Sequence, residues 1–448
     1  MRVGIIGGGI TGLSCAHYLV RRGVRPIVFE SSRKLRSWGA HGTGEYGLDP
    51  FPIGLRRSDT AICGLINDLG LTSLLHWQRT PCAVHAEGEF HSLSGLRDLL
   101  RYTPLAPLQR LRAAAATYAS TLLRAYARPL DSVSAREWFR RTCGAATYDR
   151  LWRRVLAARF GSAHVDDMPA YLAWQSLREE LLGSHEVTGT LRGGFGVLCE
   201  ALASSVTQGG GEIHTDTAVE AIESDGPGVR VDVGHGRIEL DAVIAAIPLP
   251  QLSPLVVGEL AEPLAKPLCA TRSQEISSLR VKLRGRSPIS GYFRVLMLDS
   301  QAPFPTVIDA SSLLPDAVRR DSSLLYMVRL GAGAPSAGGP RTSGDRPATD
   351  RRRVEIDGHA HTREAFETLR RIDPALCPSR IEETHLFRWR SPEPVWPVDA
   401  LRRPIPPRLG KSGLHVCTAA QAYPRGATPE AAVMLARDCV GRVLRETA

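Results

Sequence analysis

The chain has 448 residues, more than one hydrophobic core usually supports, so two closely joined domains are expected. Apolar residues make up 43%, alongside 42 Gly and 31 Pro, a balance that excludes a disordered or fibrous chain. The net charge of +10 comes almost wholly from arginine, because only four of the 56 basic residues are Lys (34, 266, 282, 411). The arginines fall in scattered pairs such as Arg21-Arg22, Arg153-Arg154 and Arg402-Arg403, not in one stripe interleaved with aromatics. That pattern implies a solvated basic surface, with no nucleic-acid partner, and is compatible with a small anionic substrate. No apolar run reaches the ~18–20 residues of a membrane span. The N-terminus lacks a basic, apolar, small-residue leader pattern, so a cytoplasmic chain is expected. The nine cysteines are dispersed without a Cys-x-x-Cys pair, which argues against a metal site or a dithiol motif.

The first element is a buried parallel strand, Arg2 to Ile6. Gly7-Gly8-Gly9-Ile10-Thr11-Gly12 follows and satisfies G-x-G-x-x-G at Gly7, Gly9 and Gly12. Residues 13–22 have helical spacing, with Leu13, Ala16, Leu19 and Val20 on one face, and Gly23 stops the helix. A second strand, Pro26 to Phe29, ends at Glu30. Each part has a mechanical job. Gly7 permits the tight turn, Gly9 lets backbone approach a diphosphate, and Gly12 lets helix and strand pack closely. The helix start, Ile10 and Thr11 included, offers unpaired N–H groups to phosphate oxygens. The Glu30 carboxylate can accept hydrogen bonds from an adenosine ribose and would repel a 2′-phosphate. This is a dinucleotide site, and the unit alone does not separate NAD from FAD.

From ~76 to ~187 the pattern is largely helical, with helical periodicity over Arg97 to Tyr126 and Ser134 to Phe160. Leu191-Arg192-Gly193-Gly194-Phe195-Gly196 leads into a helix, Val197 to Val206. Next come Gly210-Gly211-Glu212-Ile213 and Thr217-Ala218-Val219-Glu220-Ala221-Ile222, a hairpin, and Asp241-Ala242-Val243-Ile244 leading to Pro248. Strands are expected at Ile276 to Leu283 and Ser323 to Leu330, and a helix at Arg363 to Ile372. The Gly-, Pro- and Arg-rich stretch within 331–353 reads as a flexible loop. Leu414 to Pro424 then precedes a closing helix from Pro429 to Leu444.

This order of motifs resembles the flavin-containing amine oxidase/protoporphyrinogen oxidase superfamily. Glu137-Trp138, Leu151-Trp152, Arg159-Phe160-Gly161 and Ala420-Gln421-Ala422-Tyr423-Pro424 are similar to a protoporphyrinogen-oxidase-like subgroup. The resemblance covers most of the chain apart from roughly 331–360. It implies an α/β fold, an FAD-binding Rossmann-like domain of the glutathione-reductase type with an inserted substrate domain of mixed β-sheet and helices. The FAD-binding domain would be discontinuous, 1–75, 188–250 and 410–448. Residues 76–187 would form a helical cap and 251–409 a substrate-binding sheet. The resemblance also implies that the backbone of Val219 meets the adenine. It further implies that the turn around Ala427 aims a helix N-terminus at the flavin.

Three departures fall where the flavin ring should lie. The family's Gly-Gly pair is replaced by Leu35-Arg36-Ser37-Trp38-Gly39. Gly47-Leu48-Asp49-Pro50-Phe51-Pro52 lacks a following histidine. The segment after Tyr423-Pro424 reads Arg425-Gly426-Ala427-Thr428. They imply either a re-shaped pocket with a different substrate or a loss of flavin binding and catalysis. Arg36 is a candidate for the diphosphate, because a guanidinium matches phosphate geometry, and Ser37 beside it is a candidate cofactor contact; a surface arginine is the other reading of Arg36. Glu393 and Tyr423 could face the flavin, and Trp389 and Trp396 could line the pocket or simply fill a core. His359 and His361 lack a third ligand, so no metal is expected. Cys417 reads as core.

The expected activity is FAD-dependent transfer of a hydride from a C–N, C–C or C–O bond of a small-molecule substrate, in a biosynthetic setting. Two alternatives stand beside it. One is a redox-neutral flavoenzyme resembling UDP-galactopyranose mutase, and the other a non-catalytic scaffold with the flavoprotein fold.

Overall fold

The structure is a computed structural model. It describes residues 1–35, 49–51, 54–93, 95–122, 127–183, 187–224, 228–234, 236–264, 272–299, 301–311, 321–331, 358–410 and 412–446. Its first layer is a five-stranded sheet in the spatial order Leu414–Val416, Ala242–Ala245, Arg2–Ile6, Arg25–Phe29, Glu212–His214. Every pairing is parallel, with Val3 opposite Ala242 and Pro26, and Ile6 opposite Ala245 and Phe29. Helices or sheets must then cover both faces, and the apolar runs in these strands reflect that double burial. On one face Val3, Ile5, Val28 and Ile244 pack under the helix Ile10–Val20 and the closing helix Pro429–Glu446. Small residues at the crossing, Cys15, Ala16, Ala436 and Cys439, let the two helices approach closely, and Cys15 Sγ lies 3.9 Å from the Ala436 carbonyl. Cys417 joins this core, as expected. On the other face Ile6, Phe29 and Val243 meet an antiparallel three-stranded sheet, Val219–Glu223, Val229–Val233 and Gly236–Leu240.

The second layer is a seven-stranded mixed sheet ordered Ile381–Val395, Arg272–Arg284, Ser322–Leu330, Thr306–Asp309, Arg294–Met297, Cys82–Ala86, Glu89–Ser92. Along its longest pairing the side chains alternate. Leu279, Val281 and Leu283 pack under Ala365 and Leu369 of the helix Gly358–Ile372. Arg280 belongs to the opposite face, as does Tyr326, which sits across the ladder from it. That face is turned towards the first layer, because the Tyr326 hydroxyl donates to the Asp49 carbonyl at 2.6 Å.

Helices from Leu96 to Gly183 form a third unit around buried Phe139, Tyr148, Trp152 and Leu156. The sequence-based elements differ from the observed ones in three ways. Residues 76–187 do not begin as helices: Leu75–Arg79 pairs with Val187–Leu191, and Cys82–Ala86 and Glu89–Ser92 extend the large sheet. The helix expected over Arg97 to Tyr126 breaks between Leu96–Arg101 and Pro107–Leu122, where Pro104 and Pro107 withhold backbone donors. The helix expected over Ser134 to Phe160 breaks at Gly144, whose φ of 88° a side chain would resist, and resumes through a π-helical turn, Tyr148–Trp152. The loop reading for 331–353 falls outside the described residues beyond Gly331.

Candidate functional site

The glycine turn joins the central strand to the first helix at the carboxyl end of the parallel sheet. Ligands of open α/β folds bind at that end. Gly7 holds φ +107°, and a Cβ there would lie 2.8 Å from the Ala246 carbonyl oxygen. At Gly12 a Cβ would stand 1.9 Å from the Gly7 carbonyl oxygen, so helix and turn touch with no room for a side chain. Gly9 is the helix N-cap, with extended backbone and no side chain to occupy the first amides, and no acid stands in the first turn. Ile10 points into the core with Leu13 and Leu55, and Thr11 stays partly exposed at the mouth. The result is a helix tip whose N–H groups and dipole are available to an anion.

Glu30 ends the second strand and is only 1% exposed. Its carboxylate accepts the Gly8 N–H at 2.7 Å and the Ser32 N–H at 2.9 Å. Two backbone donors thus aim it at the glycine turn, and a carboxylate keeps further lone pairs for another donor. The Glu30 carbonyl accepts the Thr217 N–H at 2.9 Å, which carries the start of Val219–Glu223 to the same place. That strand is an edge of its sheet, so part of its backbone polarity faces outward. The structure therefore brings Gly7, Gly9, Ile10, Thr11, Gly12, Glu30 and Val219 to one rim. Ala427, 8% exposed, lies in the turn before the closing helix, where Thr428 accepts the Ala431 N–H at 3.2 Å. Arg36 and Ser37 lie outside the described residues, as do Trp38, Gly39, Gly47 and Leu48.

Three acidic contacts elsewhere in the fold were not assigned from sequence. Both Asp49 oxygens accept the Phe195 N–H, at 3.1 and 2.9 Å, and cap the helix Phe195–Gln208. Burial raises the Asp49 pKa to about 7, opposed by the Phe195 N–H. Glu430 accepts the Ala61 and Ile62 N–H groups at 3.1 and 2.9 Å, so an acid of the closing helix caps its neighbour Thr60–Asp68. Asp131, 1% exposed, accepts the Tyr423 hydroxyl with one oxygen and the Leu401 N–H, at 2.9 Å, with the other. Burial, and then this bond to Asp131, raise the Tyr423 pKa far above its ordinary value, so Tyr423 acts as a donor and not as a base. Trp396 packs on Tyr423 at 5.6 Å and donates to the Ala420 carbonyl at 2.9 Å, while Tyr171 meets Tyr423 edge-on. Trp389 stands 6.0 Å from Phe51, on a strand of the large sheet. The side chain of Glu393 is outside the described residues. Only the nucleotide half of this arrangement has a local signal in sequence; the acids meet partners far away along the chain.

The model of the family described as flavin containing amine oxidoreductase matches residues 10–333. The human protoporphyrinogen oxidase is 25% identical over 373 residues, covering 73% of this chain and 76% of the relative. Among solved structures, the cyclohexylamine oxidase of Brevibacterium oxydans superposes with a TM-score of 0.74 at 16% identity, over 99% of both chains. A putrescine oxidase bound to putrescine gives 0.71 at 14% identity, again over 99% of both. Among the described residues no helix is long and apolar enough to cross a membrane. A parallel sheet carrying a glycine turn, a mixed second sheet and a family match over most of the length lead to one conclusion: the chain belongs to the flavin-containing amine oxidoreductases, and is an FAD-dependent oxidoreductase.

Proposed function

We propose that this oxidoreductase removes a hydride from a C–N, C–C or C–O bond of a small molecule, held between the glycine-turn rim and the inward face of the large sheet. The observation that carries the reading is the side-chain-free cradle from Gly7 to Gly12 with buried Glu30 fixed at its edge. The amides from Gly9 to Gly12 would hold the diphosphate of FAD, Glu30 the adenosine ribose, and the Val219 backbone the adenine. Ala427 and the following helix tip would meet the flavin end. This assigns 1–75, 188–250 and 410–448 to the cofactor. When bound, FAD supplies a two-electron acceptor for a hydride, so the protein's part is placement and exclusion of water.

Residues facing the inward side suit that part. Trp389 and Phe51 offer apolar walls, and Arg280, buried beside Tyr326 and Phe387, supplies positive charge suited to an anionic group on the substrate. Tyr423 is held by Asp131 and Trp396 and lends a rigid aromatic surface. For a C–N or C–O donor, the N–H or O–H proton made acidic by loss of the hydride would pass to solvent as the product leaves.

The test is anaerobic. Purified protein should carry the absorption bands of oxidised flavin, and mixing with primary amines or a reduced porphyrin precursor should bleach them in single turnover. Colourless protein that takes up no added FAD would refute the cradle. Bound flavin that none of the C–N, C–C or C–O donors reduces would refute the hydride reading and leave the cradle standing.

A further inference from the structure

Beyond the cofactor rim, the described residues line a partly open cavity of about 290 Å³, near the lower end of small-ligand sites. It lies at the free edge of the parallel sheet, between the closing helix and the segment 396–407. Trp396, Ile405, Tyr423 and Leu435 give apolar walls, and Arg403 and Arg442 give the charge. Leu435 and Arg442 are seven residues apart and share one flank of the closing helix, beside the face that buries Ala436, Cys439 and Val443. Arg442 stands 13 residues from Pro429, about 20 Å along the axis from the helix tip assigned to the flavin.

The charge here is unbalanced. The Arg442 Nε–H is buried with no acceptor. Its partner at i+4 would be Glu446, but that carboxylate is taken by Arg408 at 2.9 Å. Among the described residues no carboxylate pairs with Arg403 either. A half-buried guanidinium that meets no acid, at the wall of an apolar cavity, is complementary to an anion with an apolar body. We propose that this cavity is a binding site for a small organic monocarboxylate, with Arg442 and Arg403 at the carboxylate and Trp396, Ile405 and Leu435 around the apolar body. Because Tyr423 and Trp396 form its inner wall, an occupant would touch the same aromatic pair that Asp131 holds.

Benzoate is the probe, titrated calorimetrically into the flavin-loaded protein, with benzamide as the neutral isostere. The expected result is saturable benzoate binding that leaves the flavin absorption bands unmoved. Arg442→Gln should weaken it at least tenfold and benzamide should bind at least tenfold more weakly. Leu435→Trp, which fills the cavity and keeps both guanidinium groups, should abolish it. Circular dichroism melts confirm that each variant is folded. Absence of binding, equal affinity for benzamide, or full affinity in the folded Arg442→Gln variant would overturn the proposal. Binding that shifts the flavin bands and survives Leu435→Trp would place the carboxylate at the cofactor rim, and would equally overturn it.

Discussion

Replacing Asp49 with Asn should make the protein more stable at pH 8 than the parent, and less responsive to pH. Burial lifts the Asp49 carboxyl from an ordinary 3.8 to about 7 in the folded chain. A carboxyl raised in this direction binds a proton more tightly in the native state than in the unfolded state. Its contribution therefore favours folding below about pH 4 and is lost as pH climbs to about 7. At 1.36 kcal/mol per unit, the full interval amounts to an upper limit of about 4 kcal/mol. Asp49 retains partial solvent contact, which screens its charge, so about 2 kcal/mol is the expected loss between pH 5 and pH 8. Asn carries no charge, and its amide oxygen still accepts the Phe195 N–H, a good helix cap. Urea unfolding of parent and variant at pH 5 and pH 8, followed by far-ultraviolet circular dichroism, gives the difference with other titrations cancelled. A variant less stable than the parent at pH 8, or a gap of equal size at both pH values, would refute this account of the buried cap.

Glu30→Gln presents one oxygen and one NH2 to the two N–H groups of Gly8 and Ser32, so one charge-assisted bond is lost; FAD affinity should fall about 10–100-fold, read by fluorescence of released flavin. Gly12→Ala sets a Cβ 1.9 Å from the Gly7 carbonyl oxygen, and the purified protein should emerge without flavin, as its visible spectrum will show. Tyr423→Phe removes the donor to buried Asp131 and should cost about 1–3 kcal/mol of stability, measured as a lower denaturation midpoint.

The nucleotide half was legible because each of its signals is local: a strand, three glycines at fixed spacing, and an acid at the tip of the next strand. Gly12 is needed because its own turn touches it, and Glu30 is fixed by Gly8 and Ser32, both within 22 residues. The acids that organise the rest were not legible. Asp49 reaches Phe195, Glu430 reaches Ala61 and Ile62, and Asp131 reaches Tyr423, across 146, 369 and 292 residues. No periodicity in a single chain encodes such partners. The strands Cys82–Ala86 and Glu89–Ser92 were missed because segments of five and four residues carry too little periodicity to separate strand from helix; their pairing with each other, and that of Cys82–Ala86 with Arg294–Met297, decides.

The placement of the strand Leu414–Val416 has a consequence for biogenesis. It completes the parallel sheet by flanking Ala242–Ala245, yet it emerges from the ribosome about 170 residues after that neighbour. Until then Ala242–Ala245 is an open border with free amides and carbonyls, ready to zip onto a foreign strand. Truncations that end before residue 414 should therefore aggregate, and the nascent protein should lean on chaperones late in translation, when almost everything except its final border already exists.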